Sequence, residues 1–402
     1  MNPQWSLLML TLLSVSSAMN TYSGFELPAV TGHSIIASKI VASGEPLGRC
    51  IDGTLPVVYL FQGSDPTRFT IHHEGGGCCT SIADCAHRAT TDLGSSAMYA
   101  DSYDLQGLVE HWGAWALSDQ PDVNPLMHNW SKVLFRYCDG GFWAGAKATA
   151  TLGPRGQSLH FAGHHVLRAG IAAMLEAGMR DAVAIVVNGG SAGGLAVYHH
   201  VDEYAALVPG ADVVALPDGG FFVAYGSYPT TMRWLHEHMN STEGLNSRCV
   251  AAHPGEEWKC TLAQHAAPHI ASAIFALQGR FDSYQTGAIL QSDDPSLVNQ
   301  FGANLTELLR ASVLDTRAEN AAFVDSCHHH TGGWATLRAP LGASGASQAD
   351  AFAAWFSART AGPRMWLQDA LFPCPDCCPC PCGTHGGCTS CCSCSTLAAQ
   401  FV

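Results

Sequence analysis

The stretch Asp181-Ala-Val-Ala-Ile-Val-Val-Asn-Gly-Gly-Ser191-Ala-Gly-Gly-Leu-Ala-Val-Tyr-His-His-Val-Asp-Glu-Tyr204 decides the fold. Its apolar run from Ala182 to Val187 is rich in β-branched residues and reads as a buried strand. The residues after Ser191 read as the start of a helix. A serine at a sharp strand-to-helix turn needs small neighbours, because the backbone there is strained and crowded. Gly189, Gly190, Gly193 and Gly194 supply them. The pattern is Gly-x-Ser-x-Gly in the context of a nucleophile elbow, and the N–H groups of the helix start face any negative charge developing on a substrate.

Outward from this turn, apolar runs alternate with helical stretches. Phe69–Ile71, Lys132–Tyr137, Val213–Leu216 and Ile274–Leu277 read as strands, and His165–Met179 as a helix directly before the elbow strand. Strands alternating with helices predict an α/β fold, with a mostly parallel sheet covered on both faces. Loops at the carboxyl ends of its strands are then the place for function. A body over residues 38–365 is expected. Residues 1–18 read as a signal peptide, from the apolar stretch Trp5–Val15 followed by Ser16-Ser17-Ala18. Residues 373–394 read as an appended tail of Cys, Pro, Gly, Ser and Thr that has too little apolar surface for a core of its own.

The chain has 402 residues, 47% hydrophobic and 13% charged, with a net charge of −14. No basic stripe interleaved with aromatics occurs, which argues against a nucleic-acid partner. The first apolar stretch is too short to span a bilayer comfortably, so no stable membrane insertion is expected. Seventeen cysteines, with sequons at Asn129, Asn240 and Asn304, fit an oxidising, extracellular location. The odd count leaves at least one thiol unpaired or bonded to another chain. Nine of the cysteines lie between Cys374 and Cys394 in Cys-x-x-Cys spacings, which suit zinc or copper but, in a secreted chain, suit disulfides better.

A nucleophilic serine needs a base, an acid that orients the base, and donors for the tetrahedral oxyanion. Downstream of Ser191 the chain offers Asp282, just after the Ile274–Leu277 strand, and then His328-His329-His330. That is the order Ser, Asp, His of the α/β-hydrolases. Gly75-Gly76-Gly77 follow the Phe69–Ile71 strand and let backbone N–H groups approach a ligand without Cβ obstruction. One of these N–H groups, with that of Ala192, would make a two-donor oxyanion hole.

Taken together these blocks resemble the pectin acetylesterases and their animal relative Notum, a family of serine carboxylesterases with an α/β-hydrolase fold. The resemblance is spread over about Cys50 to Trp334. It is carried by Cys50-Ile51-Asp52-Gly53-Thr54, His73-Glu74-Gly75-Gly76-Gly77-Cys78-Cys79 and Asn129–Gly140. The elbow, Asp218-Gly219-Gly220-Phe221-Phe222, Phe281–Gln285 and Ser326-Cys327-His328-His329-His330 follow in family order. It implies Ser191 as nucleophile, Asp282 as orienting acid and His330 as base, with the N–H groups of Gly77 and Ala192 as oxyanion donors. His330 matches by its spacing from Ser326-Cys327, whereas His328 and His329 fall on variable positions, so His329→Ala is expected to be nearly silent. Glu74 and Asp139 are expected to anchor loops. No metal or organic cofactor is implied.

The expected function is secreted hydrolysis of O-acyl, by default O-acetyl, esters on a polysaccharide such as pectin. The alternatives are Notum-like removal of longer acyl chains from proteins or lipids, and a non-catalytic extracellular binding protein on the same fold. Where the family has Trp this chain has Cys78, which puts the inherited acyl specificity in question. Cys78 is also the leading candidate for the odd thiol. Cys79 with Cys138 or Cys85, and Cys249 with Cys260, are candidate bridges.

Overall fold

The computed structural model describes residues 35–342 and 344–378. The expected signal peptide and most of the Cys-rich tail lie outside the described residues. Nine strands form the central sheet: β1 (Ser38–Val41), β2 (Val57–Phe61), β3 (Asp65–His73), β4 (Trp130–Phe135), β5 (Ala184–Gly190), β6 (Asp212–Asp218), β7 (Ala273–Gly279), β8 (Ala321–Asp325) and β9 (Met365–Leu367). Their order across the sheet is β1-β2-β4-β3-β5-β6-β7-β8-β9. The β1–β2 and β2–β4 pairs are antiparallel and every other pair is parallel. This is the mostly parallel α/β-hydrolase-like architecture that the alternation of apolar runs predicts.

The five longest helices among the described residues are α1 (Gly163–Glu176), α2 (Ala192–Leu207), α3 (Tyr228–Met239), α4 (Pro295–Leu309) and α5 (Gln348–Ala358). Side chains alternate between two cores, as the period of two in a strand requires. Ile185 and Val187 of β5 face the core shared with α1, α2 and α4, whereas Ala184 and Val186 face the core that includes Phe352 and Trp355 of α5. Burial on both faces explains why β5 reads as an unbroken apolar run rather than an alternating one. Each fully buried Val or Ile there contributes about 1.5–3 kcal/mol.

The sequence does not show β1, β2 or β8 as separate strands, and β9 begins at residue 365, the expected end of the body, and runs past it. Gln368, just after β9, is 2% exposed, and its side chain accepts from the N–H of Ser326 at 2.9 Å. The start of the tail is also tied to the body through Cys327–Cys378, while Cys374–Cys377 closes a small loop within the tail. The packed unit therefore continues past Pro373 to Cys378. Of the candidate bridges, Cys249–Cys260 forms and Cys79 pairs with Cys85. Cys138 pairs instead with Cys50, 88 residues away. Cys78 is half-buried and has no disulfide partner among the described residues.

Candidate active site

Strand β5 ends at Gly190 and helix α2 begins at Ala192, leaving Ser191 at the corner with φ +57° and ψ −121°. A positive φ is costly for any residue with a Cβ, so this corner is held by its surroundings. The Ser191 N–H donates to the carbonyl of Asp218 at 2.8 Å. Glycine at 193 is obligatory, because a Cβ there would lie 1.9 Å from the carbonyl oxygen of His73. The glycines of the elbow thus let β3, β5 and α2 converge on the serine.

Three side chains meet at this corner. His330 Nε2 lies 2.7 Å from Ser191 Oγ, and His330 Nδ1 lies 2.8 Å from Asp282 Oδ2. Asp282 follows β7 and is fully buried. Besides His330, its carboxylate accepts from Gln278 Nε2 at 3.2 Å and from the Gln285 N–H at 3.0 Å. A buried carboxylate needs such donors, since an unpaired charge would cost several kcal/mol, on the order of 3–5. The imidazole of His330 is stacked on Tyr284, with ring centroids 5.3 Å apart, and packs near Phe222. Both aromatic rings limit its rotation.

The other two histidines of the triplet are spent elsewhere. His328 Nε2 is 3.1 Å from Thr286 Oγ1. His329 Nε2 is 3.0 Å from Asp325 Oδ1 and its Nδ1 is 3.3 Å from the Thr331 carbonyl. Burial alone would lower the pKa of His329, but the Asp325 carboxylate, with Asp218 beyond it, raises it to about 9. His329 is therefore a cation paired with a fully buried Asp325. Substitution at this position removes that ion pair, so its cost is expected in stability rather than in turnover. Nothing in the triplet itself shows which ring meets a buried acid.

The glycine loop after β3 lies against the elbow, where a Cβ on Gly75 would come within 3.1 Å of Ser191 Cβ. Arg88 donates to the Gly76 carbonyl at 2.6 Å, and Tyr137 Oη donates to the Gly77 carbonyl at 2.8 Å. In a trans peptide the N–H points opposite to the preceding C=O. Fixing the Gly76 carbonyl on Arg88 therefore turns the Gly77 N–H away from that guanidinium. Among the described residues neither the Gly77 N–H nor the Ala192 N–H has a hydrogen-bond acceptor. Ala192 is the first residue of α2, where a free N–H is normal.

The surrounding acids act as anchors. Glu74 accepts from Arg136 Nε at 2.7 Å and from the Tyr137 N–H at 2.8 Å. Asp139 accepts from the N–H groups of Gly141 and Trp143, while burial raises its pKa to about 7. Asp218 connects the elbow to the histidine loop. Its carbonyl holds Ser191, its carboxylate accepts from the Gly332 N–H at 3.0 Å, and burial raises its pKa to about 6. Burial also pushes the Cys78 thiol up to about 12 despite Arg88 nearby, so it is neutral and inert as a nucleophile. Two glutamines escaped the sequence reading. Gln278 and Gln285 hold Asp282 and also accept from the N–H groups of Phe221 and Val223, which sets the loop after β6. They lie within three or four residues of Asp282, the only signal that marked them.

The pectinacetylesterase family model matches residues 33–379. Pectin acetylesterase 5 of Arabidopsis thaliana is 29% identical, covering 87% of this chain and 86% of that protein. Pectin acetylesterase 7 of the same plant is 28% identical over 83% of this chain and 89% of its own length. The palmitoleoyl-protein carboxylesterase NOTUM of Drosophila melanogaster is 25% identical over 70% of this chain, but over only 42% of that protein. By fold, elbow and family model, this chain belongs to the pectinacetylesterase family.

Proposed function

We propose that Ser191, His330 and Asp282 are the catalytic residues of this chain and that it removes O-acetyl groups from a pectin-like polysaccharide. The chain is a carboxylic ester hydrolase. The observation that carries the reading is the continuous path from Asp282 Oδ2 through both ring nitrogens of His330 to Ser191 Oγ.

Ser191 Oγ attacks the ester carbonyl while His330 Nε2 takes its proton. Asp282 keeps Nδ1 protonated and stabilises the imidazolium without accepting that proton. The carbonyl oxygen becomes an oxyanion between the N–H groups of Gly77 and Ala192, each such donor accounting for about 10²–10³ in rate. Collapse breaks the bond to the sugar oxygen, which leaves with the proton from His330. An acyl group then remains on Ser191. Water, deprotonated by the same imidazole, attacks this acyl-serine. The second collapse releases the carboxylic acid and returns the proton to Oγ.

The acetyl preference rests on the pectin acetylesterases that the chain resembles over most of its length. One observation favours a second reading, in which the acyl chain is longer. Cys78, at the position where the family has Trp, stands near Tyr137, Tyr228 and Tyr284, so the side chain there is much smaller than the family's. An acyl series of p-nitrophenyl esters separates the two: a peak at acetate supports deacetylation, and a peak at octanoate or beyond supports the longer chain. Five disulfides among the described residues suit an oxidising compartment. Among those residues no helix is long and apolar enough to cross a membrane. Secretion to the cell exterior is the location that fits.

The direct test is release of acetate from a panel of acetylated polysaccharides, with the folded Ser191→Ala variant as blank. Acetate released from acetylated pectin above that blank supports the proposal. Equal release by the two proteins would refute it.

A further inference from the structure

A second cluster of ionisable side chains lies between α1 and the elbow helix α2. His164 stands in the first turn of α1, while His200 and Glu203 lie one turn apart on α2. His164 Nε2 is 3.1 Å from Glu203 Oε2, and His200 Nδ1 is 3.8 Å from the same oxygen. The three ligand atoms fall within 4.8 Å of one another. The two imidazole planes are nearly parallel, 10° apart, with centroids separated by 5.9 Å.

Hydrogen bonding alone does not account for this cluster. His200 is 2% exposed. The 3.8 Å separation of its Nδ1 from Glu203 is too long for a direct hydrogen bond, so this nitrogen stands against the carboxylate without one. Bond lengths of about 2.0–2.2 Å to nitrogen and oxygen place tetrahedral zinc ligands roughly 3.3 Å apart. The observed separations of 3.1 and 3.8 Å bracket that value.

We propose that His164, His200 and Glu203 form a binding site for a borderline divalent cation, zinc(II) being the natural occupant, which pins α1 to the elbow helix α2. Two imidazoles and one carboxylate are the donors that zinc accepts. Glu203 is the partly exposed member, so the ion enters from its side and water completes the shell. The other cluster with ligand spacing among the described residues, Cys249, His253 and Cys260, is excluded as a thiolate site because its two sulfurs are bonded to each other.

The experiment uses the full chain, stripped with a chelator and titrated with zinc(II) by calorimetry and with cobalt(II) by visible absorption. One zinc per chain is expected, with cobalt bands typical of four-coordinate nitrogen and oxygen ligation, and with a Tm that rises on adding zinc. Glu203→Gln and His200→Asn are each expected to weaken binding by more than the roughly 10–100-fold that loss of an outer-shell partner produces. Ser191→Ala and His253→Asn should bind as the wild type does. If the His200 variant does not fold, Glu203→Gln, at the exposed edge, carries the comparison. Three results would overturn the proposal: no stoichiometric uptake by the folded wild type, undiminished affinity in folded Glu203→Gln, or a sulfur-to-cobalt charge-transfer band placing the ion on cysteines.

Discussion

His329 and His330 are adjacent in the chain and each faces a buried aspartate, yet the two pairs are built for different ends. His329 turns both nitrogens to acceptors, Asp325 and the Thr331 carbonyl, so it holds two protons and stays cationic. His330 gives only one nitrogen to Asp282 and leaves the other on Ser191 Oγ. The difference is not burial of the acid, since Asp282 and Asp325 are both fully buried. It lies in whether the second ring nitrogen meets a fixed acceptor or a hydroxyl that can react. A ring closed at both ends cannot take up a proton, whereas one closed at a single end can cycle between donor and acceptor.

The largest effect separating the pairs is expected at Asp282. Asp282→Asn keeps the shape but lets the imidazole adopt the wrong tautomer, and kcat should fall about 10⁴-fold. Steady-state hydrolysis of p-nitrophenyl acetate measures it. A fall of less than tenfold would show that Asp282 does not orient the base.

Loss of the His329 charge should act on stability instead. Its folded pKa is raised from 6.5 to about 9, so the stabilisation is fully present below about pH 6.5 and disappears as pH rises through about 9. Denaturant unfolding of the wild type should therefore show stability declining across that window by on the order of 2–3 kcal/mol. His329→Gln should start lower and lack that decline. An unchanged slope in the variant would assign the pH dependence to another group.

The smallest effect is expected at Cys78. Cys78→Trp places a large ring beside Tyr137, Tyr228 and Tyr284, so octanoate should be disfavoured relative to acetate by roughly tenfold or more in kcat/KM. An unchanged ratio would place the acyl pocket elsewhere.

These contrasts also explain what was legible in the sequence. The elbow could be read because its constraints are local: a buried strand, a turn of positive φ and glycines where neighbouring backbones touch. The partners of Ser191 were nameable because each sits at a fixed offset from a strand or a Ser-Cys element. The roles of Gln278 and Gln285 depend on a loop from another strand, and no local pattern encodes that approach. The partner of Cys138 was equally hidden, since Cys50 lies 88 residues away across the sheet. For the same reason His329 looked dispensable: its value comes from Asp325, four residues back and brought round by a turn at the end of β8. The edge strand β9 is only three residues long and partly exposed, so it carries almost no apolar signature.

The most direct test of the account is kcat/KM for ester hydrolysis by His330→Gln and His329→Gln, measured side by side on protein whose folded concentration is matched by circular dichroism. The account predicts a loss of at least about 10⁴-fold for His330→Gln, the scale seen when a member of such a triad is removed. It predicts that His329→Gln stays within about tenfold of the wild type once folded. Equal losses in the two variants, or a larger loss at His329, would contradict the assignment of His330 as the base.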